Sequence, residues 1–146
     1  MKASRKDSAK TRQNLLAAAS EVFVERGYRN ATVAEICKRA GANNAAVNYH
    51  FGDKETLYRE AWRHSFAESM KAHPPDGGVS ESAPVEERLR GRIKAILNRS
   101  ADQNNKDFLI LHAEMTNPTG LLREIMRAEM EPLREKMLEL VREMCL

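Results

Sequence analysis

From Leu15 to Met144 the apolar residues recur every three or four positions, and nowhere do they alternate long enough to make a strand. That periodicity restricts the chain to an all-α architecture, which glycine and proline then divide. Thr11 to Arg26 predicts a first helix with Leu15, Ala19, Val22 and Phe23 on one face, stopped at Gly27 by a residue that tolerates positive φ. Thr32-Val33-Ala34-Glu35 reads as a capping box, Thr32 and Glu35 each satisfying the other's free backbone donor, for a second helix that runs to Ala40 and breaks at Gly41. Asn43 caps a short third helix over about 44–51. Gly52 ends it, and Asp53 caps a fourth that carries Leu57, Ala61, Trp62, Phe66 and Met70 at helical spacing. Segment 73–84, rich in proline, glycine and serine, is the clearest break. Pro84 suits the first turn of a fifth helix bearing Leu89, Ile93, Ile96 and Leu97. Residues 102–106 separate it from a short apolar helix over about 107–116, and Asn117-Pro118 breaks the chain again. From Thr119 onward Leu122, Met126, Met130, Leu133, Met137, Leu140 and Met144 form one long stripe that Pro132 should kink or split.

A chain of 146 residues, 42% of them apolar, is long enough to bury a core without disulfides or metals. Cys37 and Cys145 lie far apart, without metal-ligand or Cys-x-x-Cys spacing, which suits a reducing cytoplasm. The longest strictly apolar run is Phe108 to Leu111, far short of a membrane span, and no apolar run follows basic residues 2–12, so no signal peptide is expected. The net charge of +3 is uneven: residues 1–54 carry +5 and residues 55–146 carry −2. Such a basic front suggests contact with a polyanion, although a solvated tail explains the charge about as well.

Two short helices joined through Gly41 have the form of a helix-turn-helix. Ile36, Ala40, Ala42 and Val47 are apolar where the helices must touch, and Cys37 and Ala40 are small where they must approach closely. The surrounding text is more specific. Ile36-Cys37-Lys38-Arg39-Ala40-Gly41, followed by Val47-Asn48-Tyr49-His50-Phe51-Gly52-Asp53-Lys54-Glu55-Thr56-Leu57-Tyr58, strongly resembles the TetR/AcrR family of transcriptional repressors. Leu15 to Ala19, Phe23, Gly27-Tyr28 and Ala31-Thr32-Val33 extend the likeness, which covers roughly residues 11–62. Cys37 stands where the family commonly has alanine, and Asn43-Asn44-Ala45-Ala46 replaces the more usual Ser-x-Gly-Thr run.

The resemblance implies a division into a basic N-terminal arm (1–10), a three-helix DNA-binding domain (11–56) and a helical effector-binding and dimerisation domain (57–146). Family members usually continue through two further long helices, which this chain is expected to lack. In the first domain the third helix would enter the major groove. Asn44 and Asn48 would read base edges, since an amide can pair bidentately with adenine. Ala45 and Ala46 would either touch thymine methyls or simply allow close approach. Tyr49, His50 and Lys54 match family positions that bind phosphate, and Thr32 would add a hydroxyl unless capping is its whole role. The arm would follow the DNA backbone or enter the minor groove. In the second domain Trp62, Phe66, Phe108, His112, Met115, Met126 and Met130 are candidate pocket residues, against the plainer reading that such side chains are core.

The function so implied is sequence-specific repression: a homodimer on an inverted-repeat duplex operator, released by a small-molecule effector of unknown identity. No cofactor, metal or membrane partner is implied, and no catalytic motif is present. The alternatives are a non-specific basic DNA binder and a thiol-based redox regulator working through Cys37 or Cys145.

Overall fold

The computed structural model describes residues 4–146. Among them the chain forms seven helices and no strand: α1 (Arg5–Asn30), α2 (Val33–Ala40), α3 (Asn44–His50), α4 (Lys54–Ala72), α5 (Val85–Ala101), α6 (Lys106–Thr116) and α7 (Arg123–Cys145). The all-α reading holds. Met1, Lys2 and Ala3 of the expected arm lie outside the described residues, but its remainder is corrected. Ser4 accepts from Asp7 N–H and starts α1 at Arg5, so Arg5, Lys6 and Lys10 stand on helical turns.

Gly27 (φ 74°) breaks α1, leaving one further turn to Asn30. Gly41 (φ 67°) closes α2 with Ala42 N–H bonded to the Cys37 carbonyl, and Gly52 (φ 82°) closes α3 onto Val47 and Asn48. The capping box forms only in half. Glu35 N–H donates to Thr32 Oγ1, while the Glu35 carboxylate turns to Arg26 and Arg39. Pro132 does not split the last helix, which runs unbroken from Arg123 to Cys145. Residues 119–122 are not its first turn but a connection between α6 and α7.

α1 is the hub, packing against α2, α4 and α6. Its Leu15, Leu16, Ala19, Val22 and Phe23 meet Ile36 and Cys37 of α2, Val47 of α3, and Leu57, Tyr58, Ala61 and Trp62 of α4 in one core. The α1–α4 crossing is close because small residues line it. Ser65 Oγ donates to Ser20 Oγ, and Ser20 Oγ donates to the Leu16 carbonyl, so the buried hydroxyls are satisfied. Phe23, Tyr28 and Tyr58 form an aromatic group with centroids 4.8 to 6.2 Å apart.

α5 leans chiefly on α7, and the 74–83 connection folds back over it. Gly91, in the interior of α5, makes that docking possible: a Cβ there would stand 2.6 Å from both the Asp76 carbonyl oxygen and Val79 Cγ2. Gly91→Ala is therefore expected to destabilise the protein by about 1–3 kcal/mol through overpacking, even though alanine is the better helix former. A urea-denaturation midpoint equal to or above wild type would contradict the docking argument.

Candidate nucleic-acid interface

The site begins with a seven-residue helix that has only one fully buried side chain, Val47. Val47 anchors α3 on α1 and α2, and Asn43 Oδ1 fixes its start by accepting from Ala46 N–H. With Val47 inward, helical geometry turns Asn44, Ala45, Asn48 and Tyr49 outward, all of them exposed. Tyr49 is 79% exposed, the most open aromatic ring in the described chain, and rests only edge-on against His50 at 4.9 Å. Ala46 is different: half-buried, it packs against the core and supports the helix rather than presenting a surface. The side chains of Asn44 and Asn48 make no hydrogen bond among the described residues, so both amides are free to bond elsewhere.

Around this face the expected phosphate contacts are unevenly committed. His50 is half-buried beside Phe51. Thr32 is exposed, and its oxygen already accepts from Glu35 N–H, leaving the hydroxyl proton. Lys54 carries its ammonium 4.3 Å above the Tyr28 ring, and burial pushes its pKa down. The N-terminus of α4 already holds an anion: Asp53 accepts from Thr56 N–H at 2.7 Å, which keeps its carboxyl below the usual range. An incoming phosphate would thus be met by the Lys54 side chain rather than by that helix end.

Sequence charge overstated the free cations. Arg39 is spent on α1, bonding both Glu25 oxygens at 2.9 Å and reaching Glu35 and Glu21. Arg26 pairs with Glu35, and Arg29 donates to the Asn117 and Pro118 carbonyls and to Asn117 Oδ1. Arg5, Lys6, Lys10 and Lys38 form no ion pair among the described residues. Arg12, counted in sequence only as part of a basic tail, lies over the Phe51 ring at 5.2 Å and 3.7 Å from Glu60, tying the start of α1 to the end of α3.

The candidate pocket residues scatter. Trp62 and Phe66 are buried and stacked at 5.0 Å, Met126 packs against the core, and His112 and Met115 (71% exposed) sit on the outside of α6. Only Phe108 and Met130 line the cavity of about 550 Å³ between α5, α6 and α7. Of the two cysteines, Cys37 is buried and burial raises its thiol pKa, which disfavours redox chemistry there, while Cys145 is exposed at the last residue of α7.

Two family profiles match the chain. Residues 15–61 match "Bacterial regulatory proteins, tetR family", and residues 85–145 match the C-terminal domain of the HTH-type transcriptional dual regulator CecR. The HTH-type transcriptional repressor AcnR of Corynebacterium efficiens is 31% identical over 106 residues, 73% of this chain and 49% of that protein. The HTH-type transcriptional repressor BepR of Brucella suis biovar 1 is 37% identical over 59 residues, 40% of this chain and 28% of that one. This chain thus spans about half or less of those relatives' length. A TetR-like transcriptional regulator from Rhodococcus sp. RHA1 shares the fold, with a TM-score of 0.70 at 19% identity, over 97% of this chain and 73% of its own.

Proposed function

We propose that this chain, which belongs to the TetR family of bacterial regulatory proteins, represses transcription by docking α3 in the major groove of a specific DNA duplex. The observation that carries this reading is the outward face of α3, fixed by the Asn43 cap and the Val47 anchor, where Asn44, Ala45, Asn48 and Tyr49 are exposed and their side chains form no hydrogen bond among the described residues. A helix of two turns with two unengaged amides has the donor and acceptor pairs that adenine edges require. Tyr49, His50, Lys54 and the Thr32 hydroxyl flank them as phosphate contacts, which set register without reading sequence. Arg5, Lys6 and Lys10 add diffuse attraction from the first turns of α1.

The protein acts in the cytoplasm as a homodimer on an inverted repeat, and α4 to α7 form the body that a small-molecule effector occupies to release the operator. The cavity between α5, α6 and α7 supports that assignment, since it opens beside the helices that brace the head. Selection of bound fragments from random duplex DNA tests the whole reading. A symmetric consensus is the expected result, and no enrichment over input would overturn it.

The division of labour has its own test. Lys54→Ala should weaken binding to the selected site and to scrambled DNA equally, and flatten the slope of log affinity against log salt by about one unit. A loss confined to the selected site would show that Lys54 reads sequence.

A further inference from the structure

Arg99 stands out from every other buried side chain described. It lies on α5, only 6% exposed, and its Nε has no hydrogen-bond acceptor in the described chain. Nη1 reaches only the Met70 thioether, at 3.0 Å, and the guanidinium sits 5.6 Å from the Phe66 ring and 5.8 Å from that of Phe108. No carboxylate lies within ion-pair distance of it among the described residues. Asp107 acts on it only at longer range, with an oxygen accepting from Ser69. A guanidinium removed from water without a carboxylate is unfavourable, and a thioether and two rings do not replace an anion.

This side chain lines the cavity of about 550 Å³. The walls are otherwise largely apolar, built from Ala95 and Ile96 of α5, Phe108 of α6, and Met130, Leu133 and Met137 of α7. Charge around it is lopsided: Arg92, Arg127 and Arg134 join Arg99, against Glu131 alone, and Glu131 is bonded to Arg134. We infer that the cavity binds an amphipathic carboxylate, its head on the Arg99 guanidinium and its hydrocarbon body along Ile96, Met130 and Leu133. A planar carboxylate suits the fork of a single arginine, whereas a phosphate dianion would need a second buried cation. This rests on the reading of α4–α7 as the effector-binding body and narrows its ligand to one chemical class.

Trp62, the only tryptophan, stacks on Phe66, which in turn lies beside Arg99, so its fluorescence reports the site without DNA. Decanoate and 1-decanol, matched in chain and differing in head, are titrated into the full chain and into Arg99→Met and Arg99→Lys. Decanoate should bind wild type at least about tenfold more tightly than decanol, a step of about 1.4 kcal/mol. Arg99→Met should abolish that preference by weakening decanoate alone, with Arg99→Lys in between. Equal binding of the two probes to wild type, binding of neither, or undiminished decanoate binding by Arg99→Met would each overturn the assignment. Where Arg99→Met does not fold by circular dichroism, the wild-type ratio and Arg99→Lys still decide. The same titrations repeated with operator DNA separate the two readings. Decanoate bound without DNA release sinks the effector role and leaves the site, while DNA binding with no anion preference does the reverse.

Discussion

Replacing Asn44 and Asn48 together with alanine should erase preference for the selected operator while leaving low-salt binding to unrelated DNA nearly intact. Each bidentate amide–adenine pair contributes about 1–3 kcal/mol of discrimination, so two per head amount to about 2–6 kcal/mol before any partner head is counted. The smaller figure is already about a thirtyfold fall in the ratio of cognate to scrambled affinity. Folding is not at risk. Both side chains are exposed and bond nothing in the described chain, alanine favours the helix, and the Asn43 cap and Val47 anchor remain. Competition binding of selected against scrambled duplex measures the ratio directly. A variant that lost both affinities equally would make α3 a backbone contact and move base reading elsewhere.

That prediction was within reach of sequence because the features behind it are local. A glycine at positive φ after eight helical residues, and a cap three residues before the next turn, are written in consecutive positions. Gly41, Asn43, Gly52 and Asp53 accordingly bound α2, α3 and α4 where periodicity placed them. The outward face of α3 follows from Val47 alone once its burial is known. Where apolar residues crowd every side of a helix, periodicity names no inner face. Phe108, Leu109, Ile110 and Leu111 are consecutive on α6, and only Ile110 is fully enclosed. His112 and Met115 accordingly point outward rather than into the cavity.

Polar groups whose role is tertiary were the least legible. Residues 102–106 read as a plain linker, yet Asn105 is buried, accepting from Ser69 and donating to the Arg99 carbonyl. Asp107 beside it is buried too, and burial pushes its carboxyl up. Nothing in the spacing of Ser69, Arg99, Asn105 and Asp107 announces that they meet, because the turn that brings them together is set by the packing of α4 against α6. Free charge was misjudged for the same reason: Arg39 counts toward a basic face in sequence and is consumed by α1 in space.

The second large effect is expected at Glu114, which sequence did not single out. Its carboxylate accepts from Tyr58 Oη of α4, from Thr119 N–H and Oγ1, and from Gly120 N–H. Arg29 and Arg59 grip the same connection through the Asn117, Pro118 and Leu121 carbonyls. Three residues from α1 and α4, bordering the candidate DNA-binding head, are thus fastened to the turn that joins α6 to α7, and both of those helices wall the cavity. Glu114→Ala leaves four donors without their acceptor and should cost about 3 kcal/mol. Glu114→Gln, which keeps one accepting oxygen, should cost less. Because α3 is untouched, operator affinity should fall while the cognate-to-scrambled ratio stays at wild type, the reverse of the Asn44/Asn48 pair. Acid supplies an independent check. Burial pushes the Glu114 carboxyl up, but the bonds from Tyr58, Thr119 and Gly120 outweigh it and hold the group below its ordinary value. A carboxyl depressed on folding stabilises the native state above its unfolded pKa of about 4.3, and that stability is lost as pH falls through the lower folded value. Wild type should therefore lose urea resistance more steeply than Glu114→Gln below that point. Parallel acid profiles for the two proteins would show that this carboxylate does not hold the head to the body.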